Sequence, residues 1–177
     1  MRFEEYQKEV RRFADYPAGI VNGNEVRLLY PVLGLVDKFE AAKVKMRLVA
    51  EDETATRMEA LVSELGDVCW FCAEILSVLG FEADLSRFHD LYEEDFGTAA
   101  ADISGILANA IRDNDGIVTE SQALLIKEKV EGIIWTVSQM APKVCLTYLW
   151  VILHYHFQKL LSQHDRELPV PSSGDAM

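Results

Sequence analysis

Two pairs of carboxylates are the residues of this chain best spaced for chemistry. Glu64-Leu65-Gly66-Asp67 sets two acids three positions apart, followed at once by Val68-Cys69-Trp70-Phe71-Cys72-Ala73. On a helix, positions i and i+3 share a face, with Cβ atoms roughly 5–6 Å apart. That spacing suits joint ligation of a hard divalent cation such as Mg²⁺, which takes oxygen ligands. Asp37-x-x-Glu40 repeats the arrangement upstream. Four carboxylates on two antiparallel helices make an acidic metal cage, and such a cage in a small protein points to phosphate chemistry. Asp37, Glu40, Glu64 and Asp67 are accordingly expected as metal ligands and catalytic residues.

The neighbours of the second pair support a site rather than a bare helix surface. Leu61, Leu65, Val68 and Phe71 form one apolar stripe, and Glu64 and Asp67 share the flank beside it. Gly66 sits between them. A glycine costs a helix about 1 kcal/mol relative to alanine, which makes sense where another segment or a ligand comes close. Other chemistry-bearing residues read as structural. Cys69-x-x-Cys72 has redox spacing but lies mid-helix in an apolar run, so both are expected as small core residues. His154 and His156, two apart on a helix, point to different sides and do not share a metal; a hydrogen-bonded core or interface role fits them better. Trp70, Trp135 and Trp150 read as core.

The elements that must position the acids are helical. The chain has 177 residues, half of them hydrophobic, with only 5 Pro and 10 Gly. That length suits one domain, or two small repeats sharing a core. Apolar residues recur every three to four positions, which argues an all-α bundle. Helices are expected from about Phe3 to Ala14, Glu25 to Ala50, Thr56 to Leu79, Leu85 to Tyr92, Ala99 to Arg112, and Thr119 to Met140. A last helix opens at Pro142 and ends near Gln163. Thr56-x-x-Glu59 and Thr119-x-x-Gln122 fit capping boxes, and Gly80 marks a stop. Tyr16-Pro17 with Asn22-Gly23-Asn24 reads as a loop. The Pro- and Ser-containing tail reads as disordered. The chain divides into 1–96, which holds the metal site, 97–165, a second helical half on the same core, and a tail, 166–177.

Slid on itself by about 65 residues, the chain aligns Trp70 with Trp135, Leu65 with Val130 and Thr54 with Thr119. Asp37 meets Asp102, while Glu64 meets Lys129 and Asp67 meets Gly132. Two readings fit. Either the halves are a duplication whose second copy has lost its ligands, giving an internal pseudo-dimer, or helical hairpins in general align this well.

The formal net charge of −12 repels nucleic acid and anionic membranes. Three cysteines make no disulfide framework, which points to a reducing, cytoplasmic location. The N-terminus is charged and is no signal peptide. The most apolar run, Val144 to Phe157, falls short of the ~20 residues that span a bilayer. No nucleic-acid or membrane partner is expected.

The first 95 or so residues resemble the MazG-like all-α nucleoside triphosphate pyrophosphohydrolases. The matching pieces are Glu5-Tyr6-Gln7, Tyr30-Pro31-Val32-Leu33-Gly34-Leu35, the Asp37-x-x-Glu40 pair, and Glu64-Leu65-Gly66-Asp67 with Trp70. The two acidic pairs stand 23 residues apart, typical of that family's pattern. The resemblance implies Mg²⁺-dependent (or Mn²⁺-dependent) hydrolysis of an NTP or dNTP to the monophosphate and pyrophosphate, in a homodimer or homotetramer. Asp37, Glu40, Glu64 and Asp67 would hold the metal. Lys38, Lys43, Lys45 and Arg87 are candidate phosphate contacts, though the three lysines read as well as a solvated helix face. The sequence departs from the family after Leu35: Val36-Asp37-Lys38-Phe39-Glu40 replaces the usual glycine and glutamates, and the acidic pair fits only with one residue deleted. A one-residue slip turns a side chain by roughly 100° on a helix. Two further readings therefore stand beside the enzyme: a catalytically decayed member that acts as a nucleotide-binding or protein-interaction regulatory module, and a structural helical oligomer.

Overall fold

The computed structural model describes residues 1–86, 96–145 and 147–167. Within them the fold is all-α: six helices and one two-stranded hairpin. Helix α1 is Phe3–Val10, prolonged by a 3₁₀ turn, Arg11–Phe13. Strands β1 (Gly19–Val21) and β2 (Asn24–Val26) follow, then α2 (Leu29–Glu51), α3 (Ala55–Leu79), α4 (Phe96–Asn114), α5 (Glu120–Val144) and α6 (Leu149–Glu167).

The hairpin replaces the expected loop and delays α2 to Leu29. Asn22 and Gly23 take φ of 50° and 84°, the left-handed pair that an Asn-Gly turn supplies to a tight hairpin. Pro31 sits in the first turn of α2, where a missing N–H breaks no helical bond. The cap of α3 is Thr54, whose hydroxyl accepts from the Arg57 amide; Thr56 is inside the helix. Gly80 ends α3 in the left-handed region at φ 77°. Thr119 and Gln122 close the expected capping box on α5. Pro142 does not open the last helix. It lies in the final turn of α5, where its missing N–H removes only one bond before the helix ends at Val144, and α6 starts at Leu149. Leu85 and Ser86 are not helical; the rest of the helix expected to Tyr92, Arg87 included, lies outside the described residues. Helix α6 runs on to Glu167, and the tail beyond it also lies outside them.

Helix α3 is the centre of the molecule, packing against α1, α2, α5 and α6. Its length explains why: Leu61, Leu65, Val68, Cys69, Cys72, Ala73, Ile75 and Leu76 are all fully buried, so it is apolar on more than one side, as a helix covered by several neighbours must be. Both cysteines of the Cys69-x-x-Cys72 pair are free thiols in this core, and burial pushes the Cys69 thiol up to about 12. Helix α2 lies against α3 through a close approach at Gly34, where a side chain would run into the Phe71 ring. Helices α4 and α5 form a second hairpin, with α4 also against α2. Each hairpin is crossed by an ion pair, Lys38 to Glu64 between α2 and α3 and Asp102 to Lys129 between α4 and α5, with the polarity reversed. Trp150, expected in the core, is 57% exposed. Among the described residues no helix is long and apolar enough to cross a membrane.

Candidate functional site

Asp67 is the hub of a polar cluster set where α2, α3 and α6 meet, with α1 behind it. Its Oδ1 accepts from His156 Nε2 at 2.9 Å and from Lys159 Nζ at 2.8 Å. Its Oδ2 lies 3.0 Å from Lys38 Nζ. Lys38 also reaches Glu64 Oε2 at 3.4 Å, and Lys159 donates to Ser63 Oγ at 3.1 Å. Behind the imidazole, His156 Nδ1 and the Tyr6 hydroxyl are 2.7 Å apart.

The proton positions follow from this geometry. A carboxylate only accepts, so His156 Nε2 carries hydrogen. Burial holds the imidazole below its ordinary value, against the pull of Asp67, so the ring is neutral and Nδ1 is an acceptor. Tyr6 therefore donates to it. Burial, followed by the negative charge of neighbouring groups, pushes the Tyr6 hydroxyl well up, so it keeps that proton. Burial would also raise Asp67, but the hydrogen bonds from His156, Lys159 and Lys38 outweigh it and hold the carboxyl well below the usual range. Lys38 is raised: burial works against its charge, and Asp67 and Glu64 more than compensate.

The result is a closed charge balance. Lys38 and Lys159 match Glu64 and Asp67, and His156 is neutral. The chain builds this from spacing. Glu64 and Asp67 share a flank of α3 as i and i+3, and His156 and Lys159 do the same on α6. Gly66 lets the two helices meet: a Cβ there would lie 2.8 Å from His156 Cβ.

The four expected ligands do not come together. Asp37 and Glu40 face solvent from α2, and Glu40 pairs with Lys43 at 2.9 Å, its side chain 60% exposed. Lys38, between them in sequence, is the α2 residue that turns toward Glu64 and Asp67. The physical reason is helical phase: one position separates Asp37 from Lys38, and about 100° of rotation decides which faces inward. Among the described residues no group of three or more His, Cys, Asp or Glu side chains is placed to hold a metal ion. The donor set at Glu64 and Asp67 does not fit Mg²⁺ as arranged, because ammonium groups occupy the oxygens a metal would need. The same contacts turn the Lys38 ammonium to carboxylates rather than to a phosphate. His156 is buried and His154 exposed, so the two histidines do point apart.

Sequence reasoning missed Tyr6, His156 and Lys159 as members of this cluster. The available signal was Gly66 on one helix and a His-x-x-Lys pair beside the apolar stretch of another. It also missed Glu74, which is 2% exposed on α3 and accepts from the Tyr16 hydroxyl at 3.1 Å. Burial pushes Glu74 up to about 7, against the opposing pull of Tyr16 and Arg11. Tyr16 stacks on Tyr30 with ring centres 4.5 Å apart and meets Trp70 edge-on, so Trp70 is walled in by aromatics.

No protein-family model matches the chain. Neither curated proteins nor solved structures yield a significant match to it.

Proposed function

We propose that this protein is a non-catalytic, MazG-like helical module that works by binding, its acidic site closed by its own lysines. One observation carries the reading: the ammonium of Lys38 lies 3.0 Å from Asp67 and 3.4 Å from Glu64, on the side where the family resemblance calls for a metal. Lys159 and His156 take the other oxygen of Asp67. A site whose charges already cancel has little electrostatic pull on a cation or on a polyphosphate. The depressed Asp67 and raised Lys38 mean that neither charge is surrendered near neutral pH.

A second reading, a pyrophosphohydrolase acting on an NTP or dNTP with Mg²⁺, has its own supporting observation. Glu64 and Asp67 do lie on one flank of α3, with side chains 20% and 16% exposed. It requires Lys38 and Lys159 to withdraw from the carboxylates.

Product analysis separates the two. The purified chain is incubated with each common NTP and dNTP, with Mg²⁺ or with EDTA, and nucleotides and pyrophosphate are resolved by chromatography. The expected result is no metal-dependent monophosphate and pyrophosphate across the panel. Turnover that needs Mg²⁺ and disappears in Glu64→Ala would overturn the non-catalytic reading and establish the enzyme.

A further inference from the structure

A cavity of about 350 Å³ opens between the 3₁₀ turn, the hairpin and the C-terminal half of α3. That is within the range of small-molecule sites, roughly 300–1,000 Å³. Glu74 forms part of its wall, with Tyr16, Ser77, Arg11, Glu25 and Arg27. Glu74 is 98% removed from solvent, being only 2% exposed. The Tyr16 hydroxyl satisfies Oε2 at 3.1 Å, but Oε1 is buried with no hydrogen-bond partner. A buried carboxylate oxygen with nothing donating to it is costly and uncommon in folded proteins.

The cluster around Asp67 does not relieve it. Glu74 lies two helical turns further along the same face of α3, about 10 Å away, and Lys38 and Lys159 are committed to Asp67, Glu64 and Ser63. Two guanidinium groups line the same cavity, with Glu25 beside one of them. Arg11 is exposed and makes no ion pair among the described residues, while Arg27 shares only a loose, solvent-exposed contact with Glu25 at 3.4 Å. Above about pH 7 the cavity thus offers a hydrogen-bond acceptor of negative charge together with two guanidinium groups in its lining.

We propose that this cavity binds a small zwitterion, its ammonium donating to the Glu74 carboxylate and its carboxylate or phosphate held by Arg11 and Arg27. Charge-assisted contacts of both kinds are the strong class of hydrogen bond, and Arg is suited to carboxylate and phosphate alike. The shared chemistry is an ammonium separated by a short linker from an anionic group, as in a free amino acid or phosphoethanolamine.

The test is thermal unfolding of the full chain at about pH 8, where Glu74 is ionised, with millimolar amounts of each of the twenty common amino acids and of O-phosphoethanolamine. Acetate and methylammonium serve as single-charge controls. A ligand that binds only the folded state raises Tm. At least one zwitterion is expected to raise it by a few degrees while the controls do not. The rise is expected to vanish in Glu74→Gln and to need about tenfold more ligand in Arg11→Ala, each variant first shown by circular dichroism to be folded. A response to amino acids alone assigns a carboxylate to the arginines, and a response to phosphoethanolamine alone assigns a phosphate. No response to any zwitterion, or a rise that survives Glu74→Gln or is matched by the controls, overturns the proposal. Nothing in this test reads turnover, so it stands or falls apart from the reading of the acidic site.

Discussion

Gly66 of α3 and His156 of α6 meet so closely that a Cβ on Gly66 would lie 2.8 Å from His156 Cβ. This contact sets the distance between the two helices and lets the imidazole reach Asp67 one residue away on α3.

Gly66→Ala is therefore expected to destabilise the fold although alanine is the better helix former by about 1 kcal/mol. The clash displaces His156 from Asp67, and the net loss is about 1–3 kcal/mol. Gly105→Ala is the control. Gly105 is exposed within α4 and a Cβ there meets nothing within 4 Å, so this change is expected to stabilise by up to about 1 kcal/mol. Urea denaturation of the two variants checks the opposite signs.

Tyr6→Phe removes the donor to His156 Nδ1 at a place where Tyr6 is 0% and His156 2% exposed. No water reaches the bare nitrogen from the surface. The expected loss is about 1–3 kcal/mol, read as a lower urea midpoint with the slope unchanged.

Lys38→Glu tests the lysine as an internal counter-ion. It removes one ammonium and places a third carboxylate beside Glu64 and Asp67. Stability is expected to fall on the order of 2 kcal/mol, since like charges replace a half-buried pair. Millimolar Mn²⁺ or Mg²⁺ is expected to restore part of that loss in the variant and to leave the parent chain unchanged. Equal metal responses in both would refute the assignment.

The stability of the parent chain should fall with rising pH through Glu74. Burial raises this carboxyl from 4.5 to about 7, so between those values the folded state holds a proton that the unfolded state has released. The stabilisation is complete below about pH 4.5 and is lost by about pH 7, a change of about 3 kcal/mol at most. Arg11 and the hydroxyls of Tyr16 and Tyr6 act on Glu74, and Glu25 and Arg27 line the same cavity. Glu74→Gln lacks this dependence. Its stability relative to the parent is expected to rise across that window, measured by denaturation at a series of pH values.

His156 acts in the other direction. Its value is lowered by burial, so acid protonates the unfolded chain first and stability falls as pH drops below about 6.5. The Glu74→Gln comparison cancels this contribution, because both proteins carry His156.

The helical class was legible from residue types alone. A 3.6-residue apolar period, few breakers, and Thr and Gly at helix ends are local properties, and local properties survive without knowledge of the partners. The flank shared by Glu64 and Asp67 was legible for the same reason, because i and i+3 lie together on any helix. Gly66 even announced that something comes close. What came close was decided by tertiary structure: His156, ninety residues later in the chain. The α2 partner of the acids was also beyond local reach. Asp37, Lys38 and Glu40 lie within one turn of α2, and only the crossing of α2 on α3, with Gly34 against Phe71, sets which one turns inward. Helical phase changes by about 100° per residue, so a small rotation exchanges a carboxylate for an ammonium and an open metal cage for a closed ion-pair network. Sequence determines the periodic pattern within each helix; the rotation of one helix against another is a property of their packing.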